Sequence, residues 1–238
     1  ARVSNACNPA AEIATMNPML NKPAGAGRFI TIEGPDGSGK STQISLLVAF
    51  LEQSGHSVLL TREPGGTPIG ESIRGILLEP RHAAVLTDAT ELFLFAACRA
   101  QHVRECILPA LARGRIVVAS RYADATEAYQ GFGRGLPLDI IAQINRLATG
   151  GVQPDLTLIL DMDVDEALRR ASTVHKETPP GEMDRIESAG VGFHRRVREG
   201  YLAIARREPQ RCMVLDGHGP IDDVACRVRA AVAARLRL

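Results

Sequence analysis

Residues 28–53 read RFITIEGPDGSGKSTQISLLVAFLEQ, and this stretch decides the fold. The apolar run FITIE (29–33) leads into Gly34, Pro35, Asp36, Gly37, Ser38, Gly39, Lys40 and Ser41, and a helix-forming stretch follows at once. That order fits G-x-x-x-x-G-K-[ST] set between a strand and a helix, the context in which the pattern forms a phosphate-binding loop. The glycines let backbone N–H groups turn inward around phosphate oxygens, and the helix start adds the positive end of its dipole. Lys40 is expected to bridge the outer phosphates of ATP and the Ser41 hydroxyl to meet Mg²⁺, with Thr42 beside it. Asp36, inside the loop, either holds metal-bound water or another donor, or simply forms the turn before Gly37.

Outward from this loop, short apolar runs alternate with helical stretches: SVLLT (57–61), IVVAS (116–120), LTLILD (156–161) and CMVLD (212–216). With FITIE they make five strands rich in Val, Ile and Leu on both faces, the pattern of a parallel sheet covered by helices on each side. The longest helical pattern runs from Thr87 to about Ala112. The polar, Pro-bearing segment STVHKETPPGEMD (172–184) reads as a mobile flap. Residues 1–27, a mix of Asn, Pro, Ala and Gly without period, read as a disordered extension or an upstream translation artefact, ahead of one domain over 28–238.

Composition narrows the function classes. The 238 residues are 45% hydrophobic, enough for one large domain, and 28 Lys plus Arg against 27 Asp plus Glu leave no field that would draw nucleic acid or a membrane. No apolar run approaches the roughly 20 residues a bilayer span requires. Cys7, Cys98, Cys106, Cys212 and Cys226 show no C-x-x-C spacing, so neither zinc nor a disulfide framework is expected, and a reducing cytoplasm is.

Further candidates lie at the strand ends, where open parallel sheets bind ligands. Thr61-Arg62-Glu63-Pro64-Gly65-Gly66-Thr67 carries Arg62 and Glu63 into the crevice after the second strand, and Arg74 follows on the next helix. Ser120-Arg121-Tyr122 offers another cation after the third strand, with Gln130 beyond it.

REPGGT, LFLFAACRAQH (92–102), SRYADATEAYQG (120–131) and DRIE (184–187), in this order behind the loop, resemble the bacterial-type thymidylate kinases. The resemblance covers about residue 28 to the C-terminus. It implies a three-layer P-loop NTPase fold with a mobile lid, and Mg²⁺-dependent transfer of the γ-phosphoryl of ATP to dTMP, giving dTDP in the route to dTTP. It also implies a homodimer, with the long helix from Thr87 as its seam. By resemblance Phe95 stacks on thymine, Arg99 reads the base edge, and Thr126 and Gln130 hydrogen-bond the base. Arg121 clamps the dTMP phosphate with Arg74 near it, and Glu63 sits by the acceptor sugar or its metal-bound water. Core packing remains the plain alternative for Phe95, as a solvated helix face does for Arg99. Tyr122 and Tyr129 either pack around the sugar or belong to the core. The lid of such kinases supplies a catalytic cation when the loop has no arginine, as here; Arg169, Arg170, Lys176 and Arg185 are the candidates, Arg170 foremost.

Three positions depart from the family pattern: Ser120 stands where Asp is usual, Cys98 where Asp is usual, and Ala125 where Ser is usual. Ser120 matters most, since a strand-end carboxylate would organise metal-bound water or hold Arg121. Its loss gives the expectation of reduced turnover, tested by Ser120→Asp. The competing readings are a monophosphate kinase for another pyrimidine acceptor, and a P-loop ATPase or binding-only relative.

Overall fold

A computed structural model describes residues 27–177 and 184–236, so the expectation for the N-terminal extension lies outside the described residues. The chain runs β1 (Arg28–Glu33), α1 (Lys40–Gln53), β2 (Val58–Arg62), α2 (Pro68–Leu78) and α3 (Asp88–His102). A π-helical turn at Val103–Ile107 joins α3 to α4 (Leu108–Ala112), then come β3 (Ile116–Ser120) and α5 (Ala123–Thr126), extended by a second π-helical stretch, Glu127–Gly133. The rest is α6 (Leu138–Thr149), β4 (Leu156–Asp161), α7 (Val164–Glu177), α8 (Val191–Arg207), β5 (Cys212–Asp216) and α9 (Ile221–Leu236). The five strands form one sheet in the order β2-β3-β1-β4-β5, every neighbouring pair parallel.

Successive side chains of a strand point to opposite faces, and β1 buries both. Ile30 and Ile32 pack with Ile44, Leu47 and Leu51 of α1 and Val228 and Val232 of α9. On the other face Phe29 joins Val117, Ala119, Ile107 and Tyr122, and further along Ile159 meets Phe193, Val197 and Tyr201. The same alternation leaves Thr31 and Glu33 on the Phe29 face, both fully buried. Thr31 Oγ1 is 2.8 Å from Thr157 Oγ1; Glu33 belongs to the site.

Two expectations change. The long helix is continuous only through its π turn: Pro109 has no N–H to bond the Glu105 carbonyl and its ring crowds that carbonyl, so the register slips ahead of it. Residues 172–177, expected in the flap, are instead helical, since α7 runs through Glu177. The Lys176 side chain and residues 178–183 lie outside the described residues. No helix among the described residues is long and apolar enough to cross a membrane.

Candidate active site

The loop after β1 takes its shape from glycine. Gly34 has φ 134° and Gly37 has φ 80°, and a Cβ on Gly37 would stand 1.9 Å from the Ala167 carbonyl oxygen of α7. Only glycine combines that backbone with that approach. Gly39 caps α1, and Lys40 folds back over the loop, its Nζ donating to the carbonyls of Gly34 at 3.0 Å and Pro35 at 2.8 Å. Burial, reinforced by the charge of Arg121, lowers Lys40 to about 8, while Asp36 and Glu33 pull the other way. The Ser38 hydroxyl is buried and has no partner, an orphan polar group inside a phosphate-shaped loop. Ser41 and Thr42 are exposed at the first turn of α1. This cradle fits a polyphosphate. Mg²⁺ fits as part of it: the residues that would hold it are Ser41 and the phosphates, and the described residues contain no cluster of three His, Cys, Asp or Glu.

Arg121 joins the loop to everything beyond it. Its NH2 donates to Asp36 Oδ1 at 2.5 Å, its NH1 to the Gly34 carbonyl and to the Tyr201 hydroxyl, each at 3.2 Å, and its guanidinium lies 4.8 Å from the Tyr129 ring centre. Asp36 also accepts from the Tyr129 hydroxyl at 3.1 Å. Burial would raise the Asp36 carboxyl, but Arg121 and Lys40 outweigh it and hold it well below the usual range. With one protein donor on each oxygen, Asp36 anchors Arg121.

On the far side of Arg121 lies an open cavity at the ends of β2 and β3. Its walls are Leu78, Phe95, Ile186 and Tyr129; Thr126 and Gln130 are its polar edge; Arg74 and Arg121 supply positive charge. The Thr126 hydroxyl is buried without a partner. The Gln130 amide nitrogen donates to Glu91 Oε1 at 2.7 Å. Burial alone would raise Glu91, but Arg134, Gln130 and Arg185 outweigh it and keep it ionised, hence acceptor-only. Gln130 must therefore turn its NH₂ toward Glu91, which leaves its carbonyl oxygen for a ligand. Asp184 and Glu187 also line the cavity; they sit in the DRIE motif, whose arginine alone drew notice in the sequence.

The structure brings Arg74, Phe95, Arg121, Thr126 and Gln130 to this cavity and keeps several candidates out. Arg62 is exposed and pairs with Glu71 at 3.1 Å. Arg99 is 1% exposed, and its donors go to Glu63 at 2.9 Å, Asn145 at 2.8 Å and the Tyr122 carbonyl at 3.0 Å, so it braces the cavity from behind and does not read a base. Glu63 reaches the cavity wall, but its oxygens are held by Arg99 and by His102 Nδ1 at 3.0 Å. Tyr122 is core, its hydroxyl bonded to the Val152 carbonyl at 3.1 Å. Arg185 is buried against Glu91 and the Leu77 carbonyl and is no lid cation. Arg169 is exposed on α7; Arg170, beside it, pairs with Glu166. Cys98 is wholly buried, and its sulfur accepts the Gly65 N–H at 3.1 Å, a contact that shapes the REPGGT turn. Ser120 leaves no gap around Arg121, which Asp36 and Tyr201 already hold.

A parallel sheet of this order, with a phosphate loop after β1 and a second cavity reached across one arginine, defines a P-loop nucleotide-binding protein with an acceptor pocket. Residues 32–228 match the family model described as thymidylate kinase. The chain belongs to the thymidylate kinase family. It is 50% identical over 205 residues to the thymidylate kinase of Desulfosudis oleivorans, covering 86% of this chain and 95% of that one. It is 50% identical over 210 residues to that of Syntrophotalea carbinolica, covering 88% and 97%. Among solved structures, the thymidylate kinase of Ehrlichia chaffeensis is similar with a TM-score of 0.68 and 36% identity, over 87% of this chain and 99% of that one.

Proposed function

We infer that this protein is a dTMP kinase, transferring the γ-phosphoryl group of ATP to dTMP to give dTDP and ADP. The observation that carries this is the single arginine, Arg121, bonded to the loop while it lines the cavity. A phosphate oxygen of dTMP attacks the γ-phosphorus as the bridging oxygen to ADP departs. The nucleophile is already an anion and needs no strong base, so the protein's task is to bring two polyanions into line. Lys40 swings from the loop carbonyls onto the ATP phosphates; Arg121 and Arg74 offset the charge of the acceptor phosphate. Ser41 would hold Mg²⁺, which when bound would supply charge neutralisation on the ATP phosphates. Arg170, Arg169 or Lys176 of α7 adds the lid cation, since Arg185 is already committed to Glu91.

The base end supports a pyrimidine with a protonated N3. Phe95 offers an aromatic face, and the Gln130 carbonyl accepts from N3–H of thymine or uracil, whereas cytosine presents a bare acceptor there. We also propose a cytoplasmic homodimer joined through α3, whose outer face leaves Phe93 60% exposed. Steady-state ADP release with ATP and Mg²⁺, run with dTMP, dUMP, UMP, dCMP and no acceptor, tests the reading. Turnover that peaks with dTMP is expected; equal release without acceptor overturns it in favour of an ATPase.

A further inference from the structure

Strand β1 is covered on both faces yet ends in a carboxylate, Glu33, with no solvent exposure. A buried carboxylate persists only when its lone pairs are met. Here Oε1 accepts the Tyr122 N–H at 2.7 Å and Oε2 accepts the Tyr201 hydroxyl at 2.8 Å. Both partners lead to Arg121. The Tyr122 N–H belongs to the peptide directly after Arg121, whose φ of 68° is a left-handed conformation that few side chains adopt without restraint. The Tyr201 oxygen, in turn, accepts from Arg121 NH1 at 3.2 Å.

We propose that Glu33 is a positioning residue for phosphoryl transfer, fixing both the backbone and the guanidinium of Arg121 at the seam between the phosphate loop and the acceptor cavity. The inference rests on the kinase reading and deepens it; Glu33 lines neither the loop nor the cavity and acts through Arg121.

Burial and the charge of Asp124 raise Glu33 to about 7, so above that pH it is a carboxylate that only accepts: Tyr201 then directs its one hydroxyl proton to Glu33 and keeps its lone pairs for Arg121. Glutamine has the same shape but one acceptor and one donor group, so Glu33→Gln must break one of the two arms. If its NH₂ faces Tyr201, the hydroxyl proton turns toward the guanidinium and repels it. The other charged groups acting on this site are Asp36 of the loop, which holds Arg121, Lys40 on α1 and Asp124 on α5, and Asp124 is itself clamped by Arg211 through two bonds of 2.7 Å. Arg121 and Lys40 are thus the positive groups facing Glu33, and both are shared with Asp36.

The test compares wild type, Glu33→Gln, Tyr201→Phe and the double variant by ADP release at varied ATP and dTMP, with thermal melting alongside. Glu33→Gln is expected to lower kcat about tenfold or more, the scale for losing an orienting partner, while KM for ATP stays within about threefold. Tyr201→Phe, which keeps the ring and removes only the hydroxyl, is expected to lower kcat by a smaller factor, and the double variant to be no slower than Glu33→Gln. The proposal is overturned if Glu33→Gln keeps kcat within about twofold of wild type, or if the two effects multiply as independent sites do. Should Glu33→Gln fail to fold, Tyr201→Phe decides alone: unchanged kcat overturns the relay, reduced kcat with unchanged melting supports it. Wild type that lacks dTMP-dependent ADP release would instead remove the kinase reading itself, which separates the two failures.

Discussion

Lys40 is the residue whose charge the nucleotide site depends on, and its environment works against that charge. Burial and the nearby Arg121 lower it to about 8. The free protein therefore loses the ammonium as pH rises through about 8, and a neutral amine has no charge to offer the ATP phosphates. The expected outcome is that kcat/KM for ATP, which reports groups of the free enzyme, declines on the alkaline side with a midpoint near 8. A profile flat to pH 9.5 or so would contradict it. Glu91 governs the other end of the site: Glu91→Gln can offer its own carbonyl or its own NH₂ to Gln130, so the Gln130 amide is free to reverse. We expect kcat/KM for dCMP relative to dTMP to rise by about tenfold, the scale of one regained hydrogen bond, measured with both acceptors in the same assay. At this scale the sequence was partly legible. Lys40, Phe95, Arg121, Thr126 and Gln130 could be named because they sit in local motifs. Glu33 could have been noticed as a charged residue in a doubly covered strand, which demands a partner. Its partner Tyr201 lies 168 positions away, and no spacing in the chain announces it. Arg99 misled for the same reason: four residues from Phe95 on one helix, it shares a face in sequence, yet Glu63 and Asn145 draw it behind the wall.

Among the elements, the phosphate loop is shaped by what packs behind it. Gly37 approaches α7 so closely that Gly37→Ala must push the loop away from Ala167 while adopting a φ that alanine resists. Such strain costs about 1–3 kcal/mol, and we expect that loss of unfolding free energy in denaturant titration together with a raised KM for ATP. An unchanged KM would mean that the loop does not depend on its seat against α7. The five strands were legible to within a residue because each is a short, largely apolar run bounded by turn signals. The π turn at Val103–Ile107 was not, since Pro109 dictates a local register shift that leaves the apolar period almost intact. Residues 172–177 were misread as flap because polar composition was weighed above helical period: residues 164–177 form a surface helix, for which a polar outer face is normal.

For the whole molecule, the sheet order puts β1 at the centre, between β3 and β4, so that the loop after β1 and Arg121 after β3 rise side by side. The parallel sheet could be read from apolar runs, but strand order depends on which helices cover which edge, a long-range matter that composition does not encode. That adjacency is what makes one arginine a bridge between donor and acceptor. The most direct measurement is single-turnover transfer of label from γ-³²P-ATP with Mg²⁺ and dTMP, separating labelled dTDP from labelled inorganic phosphate, for wild type and Arg121→Ala. The account predicts label in dTDP with little free phosphate for wild type, and a transfer rate about 10³-fold lower for Arg121→Ala, the lower range for removing a cation from a transferring phosphoryl group. Label released as inorganic phosphate at the same rate with and without dTMP, or transfer to dTDP undiminished in Arg121→Ala, would contradict it.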